Sequence, residues 1–376
     1  MTKGIILSGG WGKRLRPLTC MKPKTLIPVV NKPVIERQML MLKEAGVHEI
    51  ILAVSVMSEE LKQYFKDGQR LGIKIHYTKE EHPMGTAGAI KLAEDFLADD
   101  NFFMLNGDVI FNYDFRKILQ SHEQYGGIGI IGSRMVEDPS RYGVLITDDK
   151  THQILKFLEK EEYKPPKGKQ IPMPVNAGVY LLEPKIFSYI PSHKKVSIEK
   201  EVFPEIVAEE KLYYHEISGI WKDMGNPDEL MDANMLLLKD LLKNDEQKNF
   251  LDETLKLEGK VYIYPPVAIG ANTLIRNNSK IGPNVVIGNN VYIDEETVIK
   301  DSLIYDEVYI SKNVDIQKSI ISDNCYIHDE AILRGNESNL VILASYVTVQ
   351  KNRKLMASAT SPRSVCHHEV VKEDLV

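Results

Sequence analysis

Glycines and basic side chains stand close together in the stretch LSGGWGKRLRPLT at residues 7–19. Gly9, Gly10 and Gly12 follow a short apolar run, and glycines there leave backbone N–H groups open to an anion. The basic residues that accompany them are Lys13, Arg14, Arg16, Lys22 and Lys24. A glycine turn surrounded by solvated basic residues is the simpler interpretation. Five cations after a buried strand favour a site for phosphate groups instead.

Two known phosphate-binding motifs are excluded by their spacing. A P-loop needs glycine where Leu7 stands, and serine or threonine where Arg14 stands. The dinucleotide fingerprint fails because its glycine spacing is not kept after Gly12. The stretch is therefore a candidate phosphate loop of another type.

Two aspartates are candidate metal ligands. Asp108, in LNGDVI, closes an apolar strand, where a carboxylate is costly unless it binds something. Asp223, in GIWKDMGNPDEL, lies between an apolar stretch and a Gly-Asn-Pro turn, so a cap or turn role is its alternative. Two carboxylates with phosphate oxygens and water are a usual Mg²⁺ shell.

The elements that must position these residues alternate between strand and helix over roughly the first 225 residues. GIILSGG (4–10) and NFFMLNGDVI (101–110) predict strands, and residues 31–47 predict a helix with Asn31 as its N-cap. Such alternation predicts an α/β fold, a Rossmann-like domain with a mostly parallel, mixed sheet. Ligands bind at the carboxyl edge of such sheets, where the glycines and Asp108 both fall.

The C-terminal part has a different periodicity, because an aliphatic residue recurs every six positions. The series is Ile263, Ile269, Ile275, Ile281, Ile287, Ile293 and Ile299, followed after slips of one residue by Ile304, Ile310, Ile316, Ile321 and Ile327. Glycine and asparagine are frequent in the turns. Hexapeptide repeats of this kind predict a parallel β-helix whose aliphatic residues point inward.

The composition excludes several function classes. The 376-residue chain has a net charge of −6, which argues against general nucleic-acid binding. Cys20, Cys325 and Cys366 lie far apart, so neither a disulfide framework nor a zinc site is indicated. The N-terminal apolar run is too short for a signal peptide, and no run approaches the roughly 18 apolar residues of a membrane span. We therefore expect a cytoplasmic protein with no membrane partner.

The motif LSGGWGKRLRPLT, followed by KPKTL at residues 22–26, resembles the signature of the sugar-1-phosphate nucleotidyltransferases, G-G-x-G-[TK]-R-L-x-P-L-T with P-K-x-L downstream. The resemblance extends over nearly the whole chain, since this family often carries a C-terminal left-handed β-helix. Segments 51–61, 80–93 and 196–207 are most similar to the branch that acts on mannose 1-phosphate. The resemblance implies transfer of a nucleotidyl group, GTP favoured, to a sugar 1-phosphate, mannose 1-phosphate favoured, with release of pyrophosphate.

Other substrates and a non-catalytic role stay open. Glucose 1-phosphate with ATP, UTP or dTTP would use the same chemistry, and regulatory subunits share this architecture. Those subunits usually lose the glycine, lysine or aspartate motifs, which all stand here. The resemblance also implies a homo-oligomer assembled through the β-helix.

The resemblance implies a role for each motif residue on the nucleotide side. Gly10 and Gly12 would hold the nucleotide, Arg14 the departing β- and γ-phosphates, and Lys24 the α-phosphate. Mg²⁺ would bind Asp108 and Asp223. The full nucleotide-binding set is Leu7, Gly9, Gly10, Gly12, Lys13, Arg14, Glu81, Gly85, Thr86, Asn106 and Asp108, and the catalytic set is Arg14, Lys24, Asp108 and Asp223.

On the sugar side the resemblance rests on FLEKEE (157–162) and VNAGVYLL (175–182). Glu159 would hold sugar hydroxyls and Lys160 the sugar phosphate, although Glu161 stands where the family has proline. The full sugar-phosphate set is Gly143, Glu159, Lys160, Asn176 and Gly178. The expected domains are a nucleotidyltransferase domain at 1–227, a helical connection at 228–258, the β-helix at 259–350 and a polar tail at 351–376.

Overall fold

The computed structural model describes residues 2–55, 57–164, 171–243, 245, 247–357, 363–365 and 370–371. The chain forms two compact units. The first comprises Met1–Trp11 and Val34–Lys222, and the second comprises Gly12–Pro33 and Asp223–Val376. The basic segment 12–33, which the sequence places within a domain at 1–227, therefore clusters with the C-terminal part of the chain.

A nine-stranded mixed sheet is the framework of the first unit. Its strands are β1 Lys3–Ser8, β2 Glu49–Val54, β3 Lys74–Lys79, β4 Phe102–Asn106, β5 Gly129–Val136, β6 Val144–Asp148, β7 Gln153–Leu158, β8 Met173–Leu182 and β9 Leu212–Glu216. Their order is β3-β2-β1-β4-β8-β5-β9-β7-β6, and the first four are mutually parallel. β8 runs antiparallel to both β4 and β5. The predicted Rossmann-like mixed sheet is confirmed.

Parallel pairing of β1 with β4 brings two candidate segments to one edge of the sheet. Leu7 lies opposite Asn106 in this register, and the Leu7 carbonyl accepts a hydrogen bond from Gly107 N at 3.0 Å. Both strands are apolar and buried, because helices cover the sheet. The chain therefore leaves β1 towards Gly9 and leaves β4 towards Asp108 at the same edge.

The helices of the first unit are α1 Val34–Glu44, α2 Ser58–Phe65, α3 Gly85–Lys91, α4 Glu94–Leu97, α5 Arg116–Tyr125 and α6 Phe203–Ala208, and a short strand lies at Val109–Phe111. Because α1 begins at Val34, the prediction of Asn31 as its N-cap is wrong. Asn31 has a φ of 60° in the turn between the paired strands Pro28–Val29 and Lys32–Pro33. An N-cap has extended backbone, whereas this tight turn needs the left-handed conformation that asparagine tolerates.

The second unit opens with the segment 12–33 and resumes with helix α7, Pro227–Leu241, after the strand Trp221–Asp223. Short 3₁₀ turns lie at Lys13–Leu15, Leu18–Cys20 and Lys24–Leu26. The Asn226 side chain caps α7 by accepting a hydrogen bond from Glu229 N at 3.0 Å. Proline at the first helical position fits this start, since its missing N–H would be unpaired there anyway.

Three parallel sheets follow α7 and form the faces of the β-helix. The first holds Phe250–Leu251, Val267–Ile269, Val285–Ile287, Ser302–Ile304, Ser319–Ile321, Val341–Leu343 and Arg363–Val365. The second holds Lys256–Leu257, Leu274–Ile275, Tyr292–Ile293, Tyr309–Ile310, Tyr326–Ile327, Thr348–Val349 and Val370–Val371. The third holds Tyr262–Ile263, Lys280–Ile281, Val298–Lys300, Asp315–Gln317, Ile332–Arg334 and Lys354–Met356. The sheets match the predicted left-handed β-helix.

The hexapeptide pattern matches the packing of this β-helix. Every aliphatic residue of the predicted series from Ile269 to Ile327 is buried in one continuous core. The one-residue slips fall where a corner holds a single residue, at Asp301 and Lys318, both with φ near 46°. Asparagine occupies many other corners with positive φ because it adopts the left-handed region readily.

The β-ladders run beyond the span predicted for the β-helix. Phe250–Leu251 and Lys256–Leu257 lie within the predicted helical connection, and Arg363–Val365 and Val370–Val371 lie within the predicted polar tail. Residues 351–357, with the strand Lys354–Met356, also belong to that tail, whereas residues 358–362, 366–369 and 372–376, including Cys366, lie outside the described residues. None of the helices in the described part of the chain is long and apolar enough to cross a membrane.

Candidate active site

The glycine turn after β1 presents open backbone in the first unit. Ser55 Oγ donates a hydrogen bond to the Gly9 carbonyl at 2.5 Å, which fixes the start of the turn. A Cβ placed on Gly10 would meet no heavy atom of the described residues within 4 Å. A flat ligand can therefore approach the Gly10 backbone directly.

Glu80 is the acidic residue beside this turn. Its Oε2 lies 3.5 Å from the position of a Cβ on Gly9, and burial raises the pKa of its carboxyl. Glu81, which the family resemblance places in the nucleotide-binding set, is exposed on a bend. The structure therefore places Glu80, and not Glu81, next to the glycines.

Asp108 lies in the turn after β4 and is held there from α1. Gln38 Nε2 donates to the carbonyls of Asn106 at 2.8 Å and Val109 at 2.7 Å, so its two bonds bracket Asp108. The Gln38 side chain is almost completely buried. A buried amide with two backbone acceptors fixes the turn, and with it the origin of the Asp108 side chain.

The segment that begins α3, predicted to contact the nucleoside, is attached to residues 196–199. Val196 N donates to the Met84 carbonyl at 2.8 Å, and Ala87 N donates to the Val196 carbonyl at 3.0 Å. Thr86 Oγ1 donates to Glu199 Oε2 at 2.7 Å and accepts from Ile198 N at 2.9 Å. A Cβ on Gly85 would lie 2.4 Å from the Val196 carbonyl oxygen, so no side chain fits there.

Four of the predicted contact residues lie together around Tyr180. Asn176 Nδ2 donates to the Tyr180 hydroxyl at 2.7 Å, and Gly178 N donates to Asn176 Oδ1 at 3.0 Å. Gly178, at a φ of +75°, faces the Asn106 amide, whose Nδ2 would lie 2.8 Å from a Cβ there. The Gly143 carbonyl accepts from Asn176 N at 2.8 Å. The structure thus brings Asn106, Gly143, Asn176 and Gly178 to one place.

Glu159, Glu199 and Lys200 line a cavity of about 800 Å³. Burial, and then the charge of Glu199, raise the pKa of Glu159. Lys160 is exposed at the turn after β7, and Glu161, where the family has proline, pairs with Lys200 at 3.5 Å. The carboxylate of Glu159 is therefore accessible from a cavity wide enough for a sugar.

In the second unit, Gly12 packs against Lys24. Gly12 has a φ of +56°, and a Cβ there would lie 2.9 Å from Thr19 Cγ2 and 3.1 Å from Lys24 Cβ. Thr19 Oγ1 donates to the Gly12 carbonyl at 2.8 Å. The close approach of the Thr19 and Lys24 side chains to the Gly12 backbone needs a residue without a side chain at position 12.

Arg14 and Lys24 converge on the loop that carries Asp223. Lys24 Nζ lies 3.9 Å from Asp223 Oδ1, and Arg14 Nη2 lies 3.4 Å from the position of a Cβ on Gly225. Gly225 N donates to Glu229 Oε2 at 2.7 Å, which ties the loop to the start of α7. Lys13 and Arg14 are exposed on their 3₁₀ turn, so both cations are accessible to phosphate.

Asp108 and Asp223 are carboxylates, the ligand type that suits a hard divalent cation such as Mg²⁺, which keeps several of its water molecules. Asp223 is 27% exposed at its side chain and lies 3.9 Å from Lys24 Nζ, and Asp108 is half-buried at the sheet edge. No group of three or more histidine, cysteine, aspartate or glutamate side chains that could hold a metal is present among the described residues. Each carboxylate, taken in its own unit, is a suitable ligand for Mg²⁺, which usually binds one or two carboxylates plus phosphates and water.

Sequence reasoning missed Gln38, Glu80, Glu199 and Glu229. Gln38 lies within an ordinary amphipathic helix, and its partners are 68 and 71 residues away, so no local signal could reveal it. Glu199 lies in VSIEKEVFP, which the sequence singles out only as part of the family resemblance. Residues of that motif form hydrogen bonds with the segment that contains Thr86.

Residues 3–240 match the family described as Nucleotidyl transferase, and residues 262–376 match the GMPPB C-terminal domain. The first match spans more than half of the chain, which therefore belongs to the nucleotidyl transferase family. The predicted family is confirmed. Members generally use a divalent metal, and transferases that make nucleotide sugars take a nucleoside triphosphate and a sugar phosphate.

Similar proteins carry more specific names. The chain is 40% identical over 277 residues to Probable mannose-1-phosphate guanylyltransferase 1 of Oryza sativa subsp. japonica, covering 73% of this chain and 74% of the relative. It is 34% identical over 380 residues to Probable mannose-1-phosphate guanylyltransferase 2 of the same organism, covering 100% and 99%. A solved structure from Bacillus anthracis, assigned as a glucose-1-phosphate thymidylyltransferase, is 30% identical with a TM-score of 0.55, covering 63% of this chain and 95% of that one.

Proposed function

We propose that this protein transfers the guanylyl group of GTP to mannose 1-phosphate, giving GDP-mannose and pyrophosphate. The observation that carries the proposal is the 40% identity, over 277 residues, to a relative named for that activity. The chain contains the glycines, basic residues and carboxylates that such a transfer needs.

The reaction is an in-line displacement at the α-phosphorus of GTP. An oxygen of the sugar phosphate forms the new bond to phosphorus, and the bond from phosphorus to the bridging oxygen of pyrophosphate breaks. No covalent enzyme intermediate is needed, so catalysis consists of positioning and of neutralising negative charge. Lys24 neutralises charge at the α-phosphate, and Arg14 binds the departing pyrophosphate.

The sugar and the base are bound by residues of the first unit. Glu159 accepts hydrogen bonds from sugar hydroxyls, and Lys160 binds the sugar phosphate. Asn176 and Gly178 supply further contacts to the sugar. Glu80 is better placed than Glu81 to accept hydrogen bonds from a guanine edge, because it lies beside the open glycine turn.

Asp108 and Asp223 are the proposed Mg²⁺ ligands. The ion supplies charge neutralisation to the triphosphate when it is bound. Gln38 and Glu229 fix the loops from which the two carboxylates project. Self-association through the β-helix is a further expectation, which light scattering on the purified protein would test.

Glucose 1-phosphate with dTTP is the second candidate substrate pair. The observation in its favour is the likeness to the Bacillus anthracis structure, which covers 63% of this chain at 30% identity. The higher identity to relatives named as guanylyltransferases favours GTP and mannose 1-phosphate.

A substrate grid tests the proposal. Purified protein with Mg²⁺ is assayed for pyrophosphate release with each of GTP, ATP, UTP and dTTP against mannose and glucose 1-phosphate. The greatest kcat/KM is expected for GTP with mannose 1-phosphate. Release with another pair above this one would refute the proposed substrates, and no release at all would refute the transferase activity. Asp108→Ala should abolish turnover, with a normally folded Asp95→Ala variant as a surface control.

A further inference from the structure

We propose that the β-helix positions the basic segment of the active site, through an ion pair between Lys22 and Asp323 and a hydrogen bond from Asn31 to Ile287. The inference rests on the proposed function, because it assigns these contacts to the alignment of Arg14 and Lys24 on the triphosphate. Asp323 and Asn31 are then positioning residues, and neither touches substrate.

The segment 12–33 is attached to three successive coils of the β-helix. Asn31 Nδ2 donates to the Ile287 carbonyl at 2.7 Å. The Tyr305 hydroxyl lies 3.4 Å from the Pro28 carbonyl, to which it donates. Lys22 Nζ lies 2.7 Å from Asp323 Oδ2. Each β-helix partner lies at or just after the end of a strand in the first sheet, so the segment runs along one edge of the β-helix.

The segment is also attached to α7. Val30 N donates to Asn234 Oδ1 at 2.8 Å, and Asn234 Nδ2 donates to the Leu230 carbonyl at 2.9 Å within the helix. Both ends of the Asn234 amide are thus used, and its side chain is fully buried. The left-handed turn at Val30 and Asn31 makes both this contact and the Ile287 contact, so the C-terminal half of the segment is held from α7 and from the β-helix.

The Lys22–Asp323 pair contacts the other half of the segment, and both of its side chains are largely shielded from solvent. The side chains of Lys22 and Asp323 are 26% and 12% exposed, and Lys22 Nζ lies 5.9 Å from the centroid of the Tyr305 ring. Burial, and then the charges of Asp323 and Asp306, hold the pKa of Tyr305 well above its usual value. The hydroxyl therefore stays protonated and keeps its donation to Pro28.

Lys22 is two residues before Lys24, within the motif KPKTL. A 3₁₀ turn begins at Lys24, and Leu26 N donates to the Pro23 carbonyl at 2.9 Å, so little backbone freedom separates the two lysines. Anchoring Lys22 at one end and Asn31 at the other holds the turn that carries Lys24. A displacement of about 1 Å in such a group can cost roughly 100-fold in rate.

The test compares Asp323→Asn and Asn31→Gly with Asp315→Asn in the full chain. Glycine keeps the left-handed turn at position 31 and removes only the amide. Asp315 is the matched control because its carboxylate pairs with Arg334 within the β-helix. For the two positioning variants we expect kcat/KM for GTP to fall about three- to tenfold. KM for mannose 1-phosphate and the Tm should stay at the values of the control.

Two further measurements separate this proposal from the proposed function. Hydrogen exchange of the amides in residues 12–33, measured without substrate, should quicken in Asp323→Asn and Asn31→Gly but not in the control. Lys22→Met should match Asp323→Asn, and the double variant should be no worse than either, since one interaction is lost. A wild-type protein inactive with every substrate pair would refute the proposed function, while the exchange measurement would still decide whether these contacts hold the segment. Unchanged kcat/KM for GTP in an active protein, with or without faster exchange, would overturn the positioning role.

Discussion

Replacement of Gly12 by alanine tests whether the close contact between Gly12 and Lys24 contributes to stability and to catalysis. Gly12 has a φ of +56°, and its missing Cβ would lie 2.9 Å from Thr19 Cγ2 and 3.1 Å from Lys24 Cβ. Gly12→Ala therefore introduces strain in the backbone and pressure on Lys24 in one step. The structure offers a matched comparison at Gly10, where a methyl group meets no heavy atom of the described residues within 4 Å.

The expected loss of stability has two contributions. An alanine in the left-handed region costs about 1 to 2 kcal/mol relative to glycine. Carbon atoms pack best at roughly 3.5 to 4.0 Å, so the two short contacts add overpacking of about 1 to 2 kcal/mol. Gly12→Ala should lower the free energy of unfolding by about 2 to 4 kcal/mol. If the strain is relieved by moving Lys24 by about 0.5 Å, kcat should fall roughly 10-fold.

Urea denaturation and steady-state kinetics on Gly12→Ala and Gly10→Ala check these values. Gly10→Ala should keep the wild-type unfolding midpoint, while its KM for GTP rises because the methyl group occupies the path of the nucleotide. Gly12→Ala should lose both stability and kcat. The reasoning is refuted if the two variants have the same midpoint and the same kcat.

Three other predictions concern the first unit. Gln38→Leu should lower the free energy of unfolding by about 2 kcal/mol, since two buried carbonyls lose their donor, and should weaken Mn²⁺ binding measured by electron paramagnetic resonance; binding equal to wild type would contradict the bracketing of Asp108. Glu80→Gln should raise KM for GTP more than Glu81→Gln does, and the reverse order would return the base contact to Glu81. The raised pKa of Glu159 means that it takes up a proton above the ordinary glutamate value of 4.5, so KM for the sugar phosphate should rise as pH falls towards that value. Glu199→Gln removes the second cause of the shift and should move this rise to lower pH, whereas an unmoved profile would exclude the influence of Glu199.

The β-helix was largely predictable, because its signal is local and repeated. One inward aliphatic residue per strand and one left-handed corner per turn recur at fixed spacing. Each hexapeptide can therefore be assigned to the β-helix from its own sequence. The outer limits were less visible. Leu251 and Leu257 continue the six-residue series backwards with leucine in place of isoleucine, and they are partly exposed at the end of the solenoid. The extra residues at 335–340 interrupt the period before Val341–Leu343.

The chemistry of the candidate site was predictable by residue type but not by surroundings. The need for glycine at position 12 is visible only in the structure, where φ is +56° and a Cβ would lie 3.1 Å from Lys24 Cβ. Gln38, Glu80 and Asn31 look ordinary in sequence, because what distinguishes each is a partner far away along the chain. The N-cap prediction at Asn31 was wrong for the same reason, since a distant carbonyl and a hairpin turn decide its conformation.

The pairing of Lys22 with Asp323 has a consequence for synthesis of the chain, because 301 residues separate the two. A ribosome delivers the basic segment among the first residues and its partner coils near the end. The sheet of the first unit is complete once Glu216 has emerged, whereas the anchors at Ile287, Tyr305 and Asp323 do not yet exist. All residues of that sheet are therefore synthesised well before the coils that contain the anchors, so the contacts that hold the segment of Arg14 and Lys24 can form only after Asp323 has been made.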